Sequence, residues 1–278
     1  DGRPGYGFEY EDGEIKHYIN HYSPIKKNAE ENTEKNFYFL TWGGAEGKRA
    51  AAMEPPQGNV TERPDTYYER IFYEEELENA FVHGSGLNWF GRNLLPWQVT
   101  NSLHNLDRSG TVRYKLSGVH RSYTPGEYTV TENGQQIASL HLGGVSLDSY
   151  NHAYRNQTTV ELPASELSSD NRSVLKFSYS CPENPSATGY FDYYEVHYPR
   201  EFTPIKNEIS FFSEIGATGI YEYFINGFSG GNIYGFDVTD VGDPKLIENL
   251  ATTGGIFKFK VDLDDEAPRQ FFISSNIK

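Results

Sequence analysis

The sequence contains little cysteine, little basic charge and no long apolar run. Cys181 is the only cysteine among 278 residues, so no disulfide can form within the chain and its stability must come from core burial. The chain carries 24 Lys and Arg against 39 Asp and Glu, and a net charge of -15 argues against a nucleic-acid partner. No apolar run approaches the length of a membrane-spanning helix. These scarcities exclude a disulfide-stapled module, a basic nucleic-acid-binding domain and a membrane-spanning segment.

An initiating methionine and a signal peptide are also missing. The chain starts at Asp1 and stops abruptly at Lys278. These ends predict a fragment cut from a longer protein.

Aromatic residues are abundant, at 15% of the chain, while the mean hydropathy is -0.65. This combination is typical of half-exposed sheets, in which Tyr rings pack below and keep the hydroxyl in water. Short alternating segments recur every ten to twenty residues, and Asn133-Gly134 is a hairpin-turn sequence between two of them. The predicted strands of this region lie at 112–116, 127–131, 136–140, 158–162, 173–179 and 189–198.

The pattern predicts an all-β fold, with an antiparallel, jelly-roll-like β-sandwich over residues 1–203. Thr203-Pro204 marks a boundary, and a second, smaller β module is predicted over 204–278. Its five strands are expected at 209–212, 219–225, 232–238, 256–261 and 270–273. No helix–strand alternation supports a parallel sheet.

The first part of the chain is less regular. Residues 1–36 favour short strands, 37–42 form a strong strand pattern, and 50–64 predict an exposed loop. Residues 67–80 fit either a helix or a strand.

The segment Gly189–Arg200 predicts one aromatic strand that Pro199 stops. Strict alternation places Asp192 on the same face as Tyr190, Tyr194, Val196 and Tyr198. An aspartate on so apolar a face must be hydrogen-bonded, bound to a cation or exposed at an edge.

Asp192 is therefore the candidate site residue. Phe191–Val196 resembles the closing strand of jelly-roll carbohydrate-binding modules, whose aspartate helps to bind a structural calcium. The resemblance implies calcium at Asp192, but calcium needs six to eight oxygen ligands and no neighbouring loop supplies them. The alternative is a structural, hydrogen-bonded aspartate. No other metal and no cofactor is expected.

No catalytic constellation emerges from the residues. His83-Gly84 and Cys181 are nearly 100 residues apart, whereas caspase-like peptidases separate their dyad by roughly 50. A loop histidine and an unreactive cysteine are the simpler interpretation. Trp42, Trp89 and Trp97 suit either a sugar-stacking platform or a buried core.

Four separated segments together resemble one family. They occur in the family's order along the chain, and the ordered set is more specific than any one of them. The segments are Asn36–Arg49, Tyr73–Glu76 with Asn79 and Trp89–Arg92, Gly189–Val196 with Arg200, and Tyr234–Pro244. The chain is similar in these segments to the PorU-type sortases of the bacterial type IX secretion system, which are gingipain-like cysteine peptidases. Phe191 replaces the family's usual leucine, and His197-Tyr198 replaces an asparagine-containing end.

The resemblance implies a Bacteroidetes protein on the extracellular face of the outer membrane. The segments precede the peptidase domain in that family, so the catalytic His and Cys would follow Lys278 and none is assigned here. The expected partners are the chain's own C-terminal peptidase domain and an outer-membrane secretion protein or secreted cargo. The alternative is a carbohydrate-binding or adhesin module, for which the partner would be a glycan.

Overall fold

The computed structural model describes residues 6–11, 14–19, 49–75, 77, 90–93, 96–146, 153–264 and 267–276. The described residues are strands and connections with one short 3-10 helix at Ala164–Glu166, which confirms the predicted all-β fold class. None of them forms a helix of the length and apolarity that crossing a membrane requires.

Seventeen strands occur in this part of the chain. They are β1 (Tyr6–Glu11), β2 (Glu14–Ile19), β3 (Ala51–Met53), β4 (Thr66–Glu74), β5 (Trp97–Ser102), β6 (Thr111–Arg121), β7 (Gly126–Glu132), β8 (Gln135–Leu142), β9 (Tyr154–Pro163), β10 (Arg172–Ser180), β11 (Thr188–Glu201), β12 (Glu208–Phe212), β13 (Thr218–Asn226), β14 (Tyr234–Asp237), β15 (Lys245–Ile247), β16 (Ile256–Asp264) and β17 (Gln270–Ser274).

Strands β1 and β2 confirm the short strands predicted within residues 1–36, and they pair with each other in antiparallel orientation within one compact unit. All strands from β3 onward belong to a second compact unit. The strand predicted at 37–42 lies outside the described residues.

Two antiparallel four-stranded sheets form the sandwich. Their spatial orders are β5-β10-β7-β8 and β4-β11-β6-β9. Both sheets contribute to one core, in which Leu116, Tyr128, Phe177 and Tyr194 are at most 1% exposed. Gly118 of β6 lets the Tyr128 ring approach the backbone, because a Cβ there would lie 2.6 Å from that ring.

Asn133 and Gly134 form the predicted hairpin turn between β7 and β8. Both have positive φ, at 49° and 85°, as a two-residue type I′ turn requires. These angles confirm the predicted turn. It could be predicted from sequence because it is specified locally, by residues that tolerate the left-handed region of backbone conformation.

The smaller module has a five-stranded sheet, in the order β12-β17-β14-β15-β3, and a two-stranded sheet of β13 and β16. Its core contains Phe211, Tyr223, Phe259 and Phe271. All five strands predicted here are confirmed, and β15 and β3 are additions. The predicted loop at 50–64 is wrong in part, because Ala51–Met53 pairs in parallel with Lys245–Ile247.

Residues 66–74 are a strand, which settles the alternatives for 67–80 over the described part. The prediction that Pro199 stops its strand is wrong, since β11 continues to Glu201 and Pro199 lies opposite Tyr68 of β4. On its other side, the ladder with β6 ends at His197, and Asp107 N donates to the Pro199 carbonyl at 3.0 Å. The missing N–H of Pro199 therefore breaks no ladder hydrogen bond.

The two β cores meet at the end of β11. Tyr67 of β4 packs against Phe202 and Phe211, with ring centroids 5.2 and 5.4 Å apart. Arg200 pairs with Glu69 at 2.6 Å next to this contact. The division at residues 203/204 stays a prediction, since the smaller module's sheet also takes in β3.

Candidate functional site

A β-bulge in β11 determines where Asp192 lies. Phe191 is opposite Gly118 of β6, but Tyr194 is opposite Leu116, so Asp192 and Tyr193 together face Ser117. Phe191 and Tyr194 both enter the sandwich core because of this extra residue. The prediction that Asp192 shares the core-facing side with Tyr194 is therefore wrong. Asp192 lies on the outer side of the sheet.

Asp192 is nevertheless 1% exposed. Ser117 Oγ donates to its Oδ2 at 2.5 Å, and Arg155 Nη2 donates to its Oδ1 at 3.2 Å. Arg155 Nε lies 3.1 Å from Oδ2, so the guanidinium spans both carboxylate oxygens. The three residues come from the adjacent strands β11, β6 and β9.

A small apolar cluster surrounds this ion pair on the outer side of the sheet. Phe90 and Val119 are buried, and Tyr190 and Ala153 pack against them. The Arg155 guanidinium lies 5.4 Å from the centre of the Phe90 ring. Burial and the nearby Asp192 carboxylate raise the pKa of Tyr193 to about 12.

The donor set around Asp192 is a poor fit to calcium. A guanidinium occupies both carboxylate oxygens, where a calcium ion would need them as ligands. No group of three or more His, Cys, Asp or Glu that could hold a metal occurs in the described residues. The contacts favour a structural aspartate, and calcium at Asp192 stays a prediction that chelation tests.

Two of the four family-like segments meet beside this site. Gly91 N donates to the Phe191 carbonyl at 2.8 Å, and Phe191 N donates to the Arg92 carbonyl at 3.0 Å. Arg92 Nε contacts both oxygens of Glu75, at 3.0 and 2.8 Å, and Tyr73 OH donates to Glu75 at 2.6 Å. The hydrogen bonds from Arg92 lower the pKa of Glu75 to about 2.

The Arg92 guanidinium also lies 4.5 Å from the centre of the Trp97 ring. Gly91 is required where it stands, because a Cβ would lie 2.8 Å from the Phe191 ring and 2.9 Å from Glu75 Cβ. Residues far apart in sequence thus join one packed cluster. The segment at 36–49 lies almost entirely outside the described residues.

A second charged cluster lies along the same side of β11. Glu195 is 4% exposed and accepts hydrogen bonds from Arg70 Nε at 2.8 Å and His197 Nε2 at 2.6 Å. Burial opposes ionisation of Glu195, but these two bonds outweigh it and lower its pKa to about 2. Arg70 of β4 pairs with Glu195 across adjacent strands, whereas His197 bonds Glu195 within β11, so the Arg70–Glu195 pair supports the register of β4 on β11.

A third buried acid lies inside the sandwich. Glu132 accepts hydrogen bonds from Ser173 Oγ at 2.7 Å, Val174 N at 3.0 Å and Tyr114 OH at 3.4 Å. Burial raises the pKa of Glu132, and the hydrogen bonds offset only part of that effect. The sequence did not single out Glu132. It directly precedes the Asn133-Gly134 turn, where a polar residue is normally exposed, so nothing in the sequence indicated that it is buried.

Cys181 is buried and unpaired with any other cysteine. Its Sγ lies 3.3 Å from Thr124 Oγ1 and 3.3 Å from the Pro125 carbonyl. Burial opposes thiolate formation, but hydrogen bonds from Thr124 and Ser122 outweigh it and lower the Cys181 pKa. His83 lies outside the described residues, so the structure leaves the predicted absence of a Cys–His dyad untested.

His120 is hydrogen-bonded to Tyr179, which lies two residues before Cys181 in the chain. Its Nε2 donates to the Gly143 carbonyl at 2.8 Å, and its Nδ1 accepts from Tyr179 OH at 3.0 Å. Burial lowers the pKa of His120, which keeps the imidazole neutral. The arrangement is a packed polar end of the sandwich, and the hydrogen bonds and ion pairs of the described residues place no cation on the thiol.

Trp97 belongs to the core boundary, where its ring stacks on Phe177 at 5.3 Å. It is therefore unavailable as a sugar platform, and Trp42 and Trp89 lie outside the described residues. Among described residues, the more exposed aromatic side chains are Tyr68, Tyr123, Tyr154, Phe224 and Tyr234.

No protein-family model and no curated protein matches the sequence. Among solved structures, the chain is similar to the dimeric latent PorU of Porphyromonas gingivalis, with a TM-score of 0.68 at 16% sequence identity. The superposition covers 82% of this chain. The fold of this chain is PorU-like.

The chain spans only 22% of the length of that PorU chain. Two carbohydrate-binding structures are more distant. The CBM36-1 domain of a xylanase from the hindgut metagenome of Trinervitermes trinervoides has a TM-score of 0.29 at 15% identity, covering 46% of this chain and 96% of its own. The CBM22-1-CBM22-2 tandem of Paenibacillus barcinonensis Xyn10C has a TM-score of 0.23 at 10% identity, covering 76% and 86%. Their scores are too low to carry an argument about binding.

Proposed function

We propose that this chain is a non-catalytic β-rich region of a gingipain-like surface cysteine peptidase of the PorU type. The observation that carries the proposal is the PorU-like fold over 82% of the chain. The four ordered family-like segments support it independently of the fold. On this proposal the chain has no enzymatic activity of its own, and the catalytic His and Cys belong to the polypeptide beyond Lys278.

The proposed role is to position the peptidase domain. Support comes from the way the two β cores join: Tyr67 and Phe202 pack together, and the Arg200–Glu69 ion pair closes the junction. A continuous strand leads from the sandwich into this junction. Aromatic packing on both sides limits bending there, so the chain suits a rigid platform.

The proposed setting is the extracellular face of the outer membrane in the type IX secretion system. There the region would contact an outer-membrane secretion protein or the secreted cargo, and its parent would act as the sortase that removes the cargo's sorting domain. The acidic surface, with a net charge of -15, would favour basic patches on such partners.

Reading the gene beyond the codon for Lys278 tests the proposal. We expect a caspase-like domain with a His-Gly followed by a later Cys. A gene that ends without such a domain would contradict the proposal.

The alternative function is a carbohydrate-binding or adhesin module, and one observation favours it. Tyr123 and Tyr154 are 62% and 40% exposed; the Tyr154 ring lies beside Gly143, and the Tyr123 backbone carbonyl lies beside Gly144. Exposed tyrosines can stack on sugar rings. A glycan array tests this alternative. Glycan binding that is abolished in the Tyr123→Ala and Tyr154→Ala variants would support it, provided that the Phe224→Ala control, which removes an exposed ring elsewhere, still binds.

A further inference from the structure

An apolar row crosses the outer face of the five-stranded sheet. Phe272 of β17 lies opposite Phe236 of β14, Phe236 lies opposite Leu246 of β15, and Leu246 lies opposite Ala52 of β3. Residues directly opposite each other in a sheet share one face. These four residues are called the outer stripe.

The opposite face of the same sheet forms the module's core, with Phe211, Phe271, Ile273 and Ile247 buried. The outer stripe belongs to none of the described core clusters. Leu246 is 36% exposed, Ala52 is exposed, and Phe236 and Phe272 are half-buried. Tyr234, at 37% exposure, extends the stripe along β14.

Within the described strands, few charged residues share the face of the stripe, although Glu54 and Glu248 are exposed two positions beyond Ala52 and Leu246. Glu208, on edge strand β12, is the charged residue among its described outward positions, and its Oε1 accepts a hydrogen bond from Ser274 Oγ at 3.1 Å. Over the whole chain, 23% of the residues are charged. A strand with one solvated face normally places polar residues on that face, so the apolar stripe departs from the pattern for a surface in water.

We propose that the outer stripe is the seat of the folded domain that follows this region in its polypeptide. The inference rests on the proposed function. The PorU chain of similar fold extends far beyond the matched region, since this chain spans 22% of it. The stripe includes Phe272 of β17, the last strand described, so a following domain needs no long connection to reach it.

The chemistry of the stripe selects a permanent occupant over a transient one. Permanent interfaces are more apolar than transient ones, and charged residues are depleted at their centres. Cargo that must be released would leave Phe236, Phe272 and Leu246 in water between encounters. A domain of the same polypeptide keeps them covered at all times, because its tether maintains a high local concentration.

The test uses the whole polypeptide with a specific protease site placed in the connection after Lys278. After cleavage, the two pieces should stay together on size-exclusion chromatography. Leu246→Glu and Ala52→Glu should each weaken their association by about tenfold or more, because a carboxylate would be buried at the contact. Phe224→Glu is the matched control, because Phe224 is 51% exposed on the outer side of the β13–β16 sheet.

Melting of each variant of the isolated chain checks folding, and Ala52→Glu removes no core side chain. Association lost in both stripe variants and kept in the control supports the inference. If the wild-type pieces separate after cleavage, or if all three variants associate equally well, the stripe does not hold the following domain. The proposed function would still stand if a caspase-like domain were found beyond Lys278. A polypeptide without that domain overturns both.

Discussion

Arg155 spans both carboxylate oxygens of Asp192, with Nε 3.1 Å from Oδ2 and Nη2 3.2 Å from Oδ1. Asp192 is almost fully buried, while the Arg155 side chain is 41% exposed. The arginine therefore brings a cation from the surface to a carboxylate that has no access to water. Strands β9 and β11 are not neighbours, so the pair ties two strands together across β6.

Removing Arg155 should destabilise the sandwich. We expect Arg155→Ala to lower the free energy of unfolding by about 1–3 kcal/mol, because it leaves a buried carboxylate without its cation. Urea denaturation measures the change. The same substitution in an Asp192→Asn background should cost less, since the neutral amide needs no counter-charge.

Arg113→Ala is the matched control for Arg155→Ala. Arg113 pairs with Glu161 between β6 and β9 of the same sheet, but both side chains are about half exposed. Such pairs contribute about 0–1 kcal/mol. Equal losses in the two variants would contradict the role assigned to the buried pair.

Calcium at Asp192 can be tested by chelation. Because Arg155 and Ser117 already bond the carboxylate, we expect the same melting midpoint in EDTA and in calcium. Melting followed by circular dichroism suffices. A midpoint that rises with calcium, and that Asp192→Asn makes insensitive to calcium, would establish the metal site.

Glu132→Gln should stabilise the chain at neutral pH. Burial raises the Glu132 pKa in the folded state, so the folded protein binds more protons than the unfolded chain above the ordinary glutamate pKa. In the wild type, the stability that Glu132 contributes is fully present at pH values below its ordinary, unfolded-state pKa. That contribution is lost as the pH rises through the raised pKa of the folded state. The amide variant removes this dependence, because it carries no charge at any pH in the window.

The measurement is the urea midpoint of both proteins across the acidic to neutral range. Glu166→Gln is the control, because Glu166 is exposed on the short 3-10 helix. A Glu132→Gln variant that is less stable than wild type at neutral pH would show that the carboxylate's hydrogen bonds outweigh its burial.

Gly189→Ala should destabilise the sandwich through a direct clash. An added Cβ would lie 2.3 Å from the Tyr179 ring, which packs on the backbone at the start of β11. Overpacking of this kind costs about 1–3 kcal/mol. Gly254→Ala should have little effect, since its Cβ would meet nothing within 4 Å. Thermal melting of both variants compares them, and equal midpoints would argue that Tyr179 moves aside freely.

Much of the fold follows from local sequence. The strands of the sandwich and the five predicted strands of the smaller module were predictable because alternation and turn residues act over a few positions. The three-residue strands β3 and β15 were not, because nothing in Ala51–Met53 specifies a parallel partner nearly 200 residues away. From the sequence, only the family-like segments linked Glu75, Arg92 and Phe191; alternation and turn residues did not indicate that these three side chains would be in contact.

The sequence by itself determined the all-β class, the Asn133-Gly134 turn and the presence of an aspartate in an aromatic strand. Those features depend on intrinsic backbone preferences and on composition. Only the tertiary structure decided that Asp192 faces outward, because the bulge exists in relation to Ser117 on another strand. Tertiary contacts also gave Asp192 its partner Arg155 and exposed the outer stripe, since burial is a property of the assembled sheets.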